Sequence, residues 1–142
     1  MILRKLFDYL IFIRKNNQFK RNATLTGDDY KFGRASYVSI SDGSSKADVV
    51  ISDHVWIYGT LQSQNHGQIC LGKYTRVGVD SKLQSVESII IDDYTTIADN
   101  NNHPVSPSFR LYMRMTSDTD ESRRWKHSAH APIYIGQNCW IG

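Results

Sequence analysis

Val49-Val50-Ile51-Ser52-Asp53-His54-Val55-Trp56-Ile57-Tyr58, Ile69-Cys70-Leu71-Gly72-Lys73-Tyr74-Thr75-Arg76-Val77-Gly78, Ile89-Ile90-Ile91-Asp92-Asp93-Tyr94-Thr95-Thr96-Ile97-Ala98 and Ile133-Tyr134-Ile135-Gly136-Gln137-Asn138-Cys139-Trp140-Ile141-Gly142 are four copies of one unit. The first three start 20 residues apart and the fourth starts 44 after the third. A weaker copy, Tyr30 to Ser39, precedes them. In each strong copy an aliphatic residue (Ile51, Leu71, Ile91, Ile135) is followed six positions later by another (Ile57, Val77, Ile97, Ile141). Between them stands a small or medium residue: Val55, Thr75, Thr95 or Cys139. The residue after the first aliphatic is small or acidic: Ser52, Gly72, Asp92 or Gly136.

A six-residue unit is too short for a pair of helical turns, and no Asn-Gly hairpin signal separates the copies. Three such units close one coil, and stacked coils bury an aliphatic ladder between three parallel sheets. The 20-residue period is then 18 plus a two-residue bulge at one corner. A parallel βαβ fold would need crossover helices of a dozen or more residues. Residues 58–68 carry no helical apolar stripe. The predicted fold is therefore an all-β solenoid over residues 30–142, preceded by an arm over residues 1–29.

Composition supports one folded domain. The chain has 142 residues, 40% hydrophobic and 22% charged, with no apolar run longer than the five residues Tyr9 to Ile13. A spanning helix needs about 20 apolar residues. Two cysteines, Cys70 and Cys139, make no disulfide framework and suit a reducing compartment. With no signal-peptide pattern at the start, the expected location is cytoplasmic. Cys70 stands between two core-column residues and is expected to point outward. Cys139 is expected inside, as a small hydrophobe.

The net charge of +3 is uneven. Residues 1–34 hold eight Lys/Arg and three Asp/Glu, leaving the remainder slightly acidic. A nucleic-acid binder would spread basic and aromatic residues over its folded domain, so no nucleic-acid partner is expected. Residues 2–15 align Ile2, Leu3, Leu6, Phe7, Leu10 and Ile13 along one helical stripe. Such a helix can cap the open end of a solenoid. It can also rest on an anionic membrane as a basic amphipathic helix, a peripheral contact at the inner face.

The repeat breaks once, over residues 99–132. Long excursions from a rigid scaffold tend to carry function. This one is rich in amides, hydroxyls and arginines, with the aromatics Tyr112 and Trp125, all groups that can bind a sugar. Asp99, Asn102 and Arg110 are the candidate substrate-binding residues. His103 lies between Asn102 and Pro104, and the proline restricts the backbone of His103 itself. An imidazole titrates near neutral pH and suits general-base work. A zinc site is not expected: position 108 is Ser, and His127 and His130 have no carboxylate or cysteine at ligand spacing.

The hexapeptide units, with Asn102-His103-Pro104 after a coil and Ala131 to Gly142 reading Ala-Pro-Ile-x-Ile-Gly-x-Asn-x-Trp-Ile-Gly, resemble the left-handed parallel β-helix acyltransferases of the sugar and xenobiotic O-acetyltransferase type. The resemblance covers residues 30–142. It implies left-handed coils, a homotrimer with its cleft between neighbouring subunits, and acetyl-CoA as co-substrate. It also implies a sugar acceptor, plausibly in bacterial surface-polysaccharide assembly, and His103 as catalytic base. Asp99 is a candidate partner for the second ring nitrogen, or else a turn residue. Trp140 matches the family tryptophan near the cofactor arm, or else is an outward aromatic at a trimer contact. Gly142, also assigned to the cofactor site, begins the next coil. Family members continue with further coils, so the expected alternative is a non-catalytic trimeric scaffold. His54 is expected in an outward ladder with Tyr74 and Tyr94, and His66 at a corner.

Overall fold

The computed structural model describes residues 2–98, 101–102 and 130–142. A helix, α1 (Ile2–Asn22), leads into fourteen short strands. They are β1 (Thr24–Leu25), β2 (Tyr30–Phe32), β3 (Tyr37–Ser41), β4 (Val49–Ile51), β5 (Val55–Ile57), β6 (Thr60–Gln64), β7 (Gln68–Leu71), β8 (Arg76–Val77), β9 (Lys82–Ser85), β10 (Ser88–Ile91), β11 (Thr96–Ile97), β12 (Asn101–Asn102), β13 (Ile133–Ile135) and β14 (Trp140–Ile141). Every strand pairs in parallel with its counterpart one coil away. The first sheet is β1-β4-β7-β10-β13, the second β2-β5-β8-β11-β14 and the third β3-β6-β9-β12. The chain is a three-sided parallel β-solenoid.

Side chains alternate in and out along each strand. On two faces the inward positions are the predicted columns, Ile51, Leu71 and Ile91 on the first and Ile57, Val77 and Ile97 on the second; on the third, which the sequence reading did not assign, they are Leu61 and Leu83, and all are fully or nearly fully buried. Each aliphatic stacks on its equivalent in the next coil (Ile51 on Leu71, Leu71 on Ile91), so apolar contact runs unbroken along the axis.

Two registers differ from the sequence reading. The earliest coil starts at Thr24, which pairs with Val50, while Tyr30 pairs with Val55 on the second face. The weak copy at Tyr30 thus belongs one face later than its alignment suggested. The segment between β3 and β4, with a 3₁₀ turn at Lys46–Asp48, lengthens that coil and hid the match. The two-residue extension also moves. It lies at the third corner after β6, where Asn65 and His66 both take positive φ, and at the second corner before β9, where Asp80 does. Gly59 and Gly67 mark these corners. A β-carbon on either would fall 2.2–2.3 Å from a backbone oxygen of the next coil, Ser81 O or Ser85 O.

The helix runs to Asn22, about two turns beyond the predicted stretch, and closes the first coil with its C-terminal half. Phe19 is fully buried and stacks on Phe32 at 3.9 Å. The Gln18 amide acts as a missing strand: its Nε2 donates to Val38 O and its Oε1 accepts from Val38 N. Asn22 Nδ2 donates to Val38 O at 3.1 Å, and Lys15 Nζ donates to Ser36 O at 2.5 Å. Burial, with Arg14 nearby, lowers the Lys15 pKa. These contacts satisfy a sheet edge that would otherwise invite pairing. Capping is thus performed by Gln18, Phe19 and Asn22, whereas Leu6, Leu10 and Ile13 of the predicted stripe are exposed.

Candidate active site

The corners fix the surroundings of the site. His54, Tyr74, Tyr94 and Asn138 occupy one corner position in successive coils, all with φ of 57–59°. Three of their rings form the expected ladder, His54 on Tyr74 at 4.6 Å and Tyr74 on Tyr94 at 4.9 Å. The preceding carboxylates tie coils together. Asp53 Oδ1 accepts from Asp28 N and Asp29 N, and Asp93 Oδ1 accepts from Lys73 N. The Asp29 N–H, with those of Asp28 and His54 and the His54 imidazole, holds the Asp53 carboxyl below the ordinary carboxylate range. At the next position Thr95 Oγ1 donates to Gly136 O at 2.9 Å and accepts from Cys139 N at 3.1 Å.

The excursion is set into this frame. After β11 the chain re-enters the third sheet as β12, pairing Asn101 with Lys82 and Asn102 with Leu83. The solenoid therefore extends past Asp99, where the sequence reading ended it, as far as Asn102. The next residue in the chain is His103. The described chain resumes at His130, whose Nδ1 lies 2.8 Å from Glu87 Oε2, and then forms β13 on the first sheet beside β10. Departure and return thus flank the third corner. Earlier coils turn that corner through Asn65-His66-Gly67 and through Val86-Glu87. The insertion replaces one corner of an otherwise continuous coil.

Of the predicted site residues, Asn102 lies in β12, and Trp140 and Gly142 lie in the last coil. Trp140 pairs with Thr96 on the second face and is 79% exposed. Asp99, His103, Arg110, Tyr112, Trp125 and His127 lie outside the described residues. Cys70 points outward between buried Ile69 and Leu71, as expected, and partial burial raises its thiol pKa. Cys139 is only half-buried, with its Sγ 3.7 Å from Gln137 O. No described strand packs beyond β14, unlike the coils holding Val55, Thr75 and Thr95.

The outward surfaces of the three sheets differ in chemistry. On the third, beside the departure point, Gln62, Gln64, Lys82 and Gln84 form a polar band, with Gln84 Nε2 donating to Gln64 Oε1 at 2.6 Å. On the second, Lys31 lies 4.1 Å over Trp56, and Arg76 lies over Tyr58. On the first, the outward column Val50, Cys70, Ile90 and Tyr134 is largely apolar. The Tyr134 hydroxyl donates to Asp92, which raises the phenol pKa. The polar band was not read from sequence, because it emerges only when the third-face strands are registered. Alternation of Gln and Ser with Leu in Thr60–Gln64 and Lys82–Ser85 was its signal.

Comparison with family models, curated proteins and solved structures returned no match.

Proposed function

We propose that the chain is an acetyl-CoA-dependent O-acetyltransferase of the left-handed hexapeptide-repeat type, with His103 as general base and a sugar hydroxyl as acceptor. Bacterial surface polysaccharide is the substrate class that the sequence resemblance suggests. The observation that carries the reading is the setting of the Asn102-His103-Pro104 motif. Its Asn102 ends a strand of the third sheet, and the described chain returns at the same corner of a rigid coil. Flanking residues held on one corner of a rigid coil suit a segment whose chemistry needs a precisely positioned group.

In the proposed reaction the acceptor hydroxyl hydrogen-bonds to one nitrogen of His103. His103 takes the hydroxyl proton as the oxygen attacks the thioester carbonyl of acetyl-CoA. The tetrahedral intermediate collapses, the carbon–sulfur bond breaks, and the departing thiolate takes the proton back from the imidazolium. The products are the acetyl ester and free CoA. The amides of the Gln62–Gln84 band beside the departure point suit sugar hydroxyls, and Asn102, Asp99 and Arg110 complete the proposed acceptor site. Trp140 and Gly142 on the last coil are assigned to acetyl-CoA. The largely apolar outward column Val50, Cys70 and Ile90 supports packing of the first face against further copies, as a trimer requires.

The test is thiol release from acetyl-CoA with a panel of sugar acceptors. Loss of a general base reduces turnover by roughly 10²–10⁴-fold. His103→Ala should show that loss with melting temperature and assembly unchanged. Near-normal turnover by this variant would remove His103 from the mechanism.

A further inference from the structure

Helix α1 has two halves that face different surroundings. Its C-terminal half packs on the first coil through Phe19, Gln18 and Asn22. At 100° per residue, Leu6, Tyr9, Leu10 and Ile13 fall within an arc of about 100°, and Leu10 lies diametrically opposite Phe19. All four are exposed, Leu6 at 53% and Leu10 at 55%, as are Phe7 on the stripe's margin and Phe12, which lies near the azimuth of Phe19. The most apolar surface of the helix therefore points away from the solenoid.

The charges bordering this stripe have one sign. Lys5 lies along one margin and Arg14 along the other, while Arg21 continues the second margin about two turns further and Lys20 follows on the arc of the stripe itself. The helix carries a single acid, Asp8, and that carboxylate is paired with Arg34 at 2.8 Å. Arg4, Lys5, Arg14, Lys20 and Arg21 have no acidic partner among the described residues. Two copies of this helix laid stripe to stripe would oppose cation to cation. An apolar stripe flanked by unpaired cations is complementary to a surface that is apolar within and anionic at its rim. No described helix is long and apolar enough to cross a membrane, so the fit is to the surface and not to the interior.

We infer that the N-terminal half of α1 is a peripheral anchor, seating Leu6, Leu10 and Ile13 in the headgroup region of an anionic bilayer with the solenoid held outside it. The inference is independent of the acetyltransferase reading. It would place the solenoid within reach of acceptors carried on lipid.

The test is flotation of the full chain with vesicles of phosphatidylcholine alone and with about 30% phosphatidylglycerol. Binding should be at least about tenfold greater to the anionic vesicles and should fall about fivefold or more when salt is raised to roughly 0.5 M. A Leu6→Glu/Leu10→Glu variant should float about tenfold less, with an unchanged circular dichroism spectrum and melting temperature because both side chains are already in solvent. Absence of wild-type binding, equal binding to neutral vesicles, or undiminished flotation of the variant would overturn the anchor. So would a self-assembly abolished by the same two substitutions without vesicle binding, since the stripe would then be covered by a second copy.

Discussion

Replacing Thr95 by valine tests whether the coil after the excursion is held by the corner hydroxyl. Thr95 is fully buried, and its Oγ1 bridges two backbone groups of that coil, Gly136 O at 2.9 Å and Cys139 N at 3.1 Å. The same column holds Val55 in an earlier coil, also fully buried, so the isopropyl group fits the site. Steric cost is therefore small, and the loss is that of two neutral hydrogen bonds. At about 1 kcal/mol each, with the half-buried Cys139 N–H left unpaired, Thr95→Val should cost about 1–3 kcal/mol. At roughly 2–4 °C per kcal/mol for a chain of this size, the melting temperature should fall by roughly 2–12 °C. Thr75 makes one such bond, to Asp92 O at 3.3 Å, so Thr75→Val is the internal control and should cost about half as much. Thermal unfolding by circular dichroism reads the global term. Hydrogen exchange at the Cys139 amide reads the local one and should accelerate in the Thr95 variant alone. A Thr95→Val variant within about 0.3 kcal/mol of wild type, or a Thr75→Val variant that is worse, would refute the reasoning.

Other perturbations probe the remaining contacts. Gln18→Ala removes the amide that satisfies both backbone groups of Val38 and should cost about 1–3 kcal/mol in chemical denaturation. No loss would mean that water replaces it. Ser85 Oγ is buried without a hydrogen-bond partner among the described residues, whereas Ser63, its register neighbour, donates to Gly67 O at 2.5 Å. Ser85→Ala should therefore be neutral or raise stability by up to about 1 kcal/mol, while Ser63→Ala should lower it. The folded-state pKa of Asp53 is depressed, so its contribution to stability is present above the unfolded value of about 3.9 and is lost as pH falls through the lower folded value. Asp53→Asn keeps an acceptor for Asp28 N and Asp29 N but cannot titrate, so its melting temperature should fall less steeply than wild type below about pH 4. Parallel acid limbs would dissociate that carboxyl from acid unfolding.

The solenoid was legible because its signal is carried by position. An aliphatic at Ile51, Leu71 and Ile91 and another six residues later can be satisfied only where equal positions stack, and they do. Registers that depend on corners were less legible. A two-residue extension after Gln64 and another before Lys82 leave the same 20-residue period, because period counts residues per coil and not their distribution among corners. The helix was read correctly in type, while its orientation stayed open between capping the solenoid and facing away from it. Its stripe of Leu6, Leu10 and Ile13 outweighs Phe19 in any hydropathy pattern, yet the single Phe32 stacking contact and the Gln18 amide decide which face meets the solenoid. Amides that replace a strand leave no apolar trace in sequence. Of the site, the interruption and the motif around His103 were legible in sequence, but the break was placed at Asp99, and the corner it occupies after Asn102 emerged only from the pairing of β12 with β9. The glutamines of the third face and the pairing of His130 with Glu87 required register between coils.

Acetyl-CoA binding to the 142-residue chain, followed by calorimetry for wild type and His103→Ala alongside mass in solution, tests the central claim most directly. The account predicts micromolar binding to a trimer by both proteins, since His103 is assigned to the proton and not to the thioester carrier. A folded wild-type protein that binds no acetyl-CoA would contradict it.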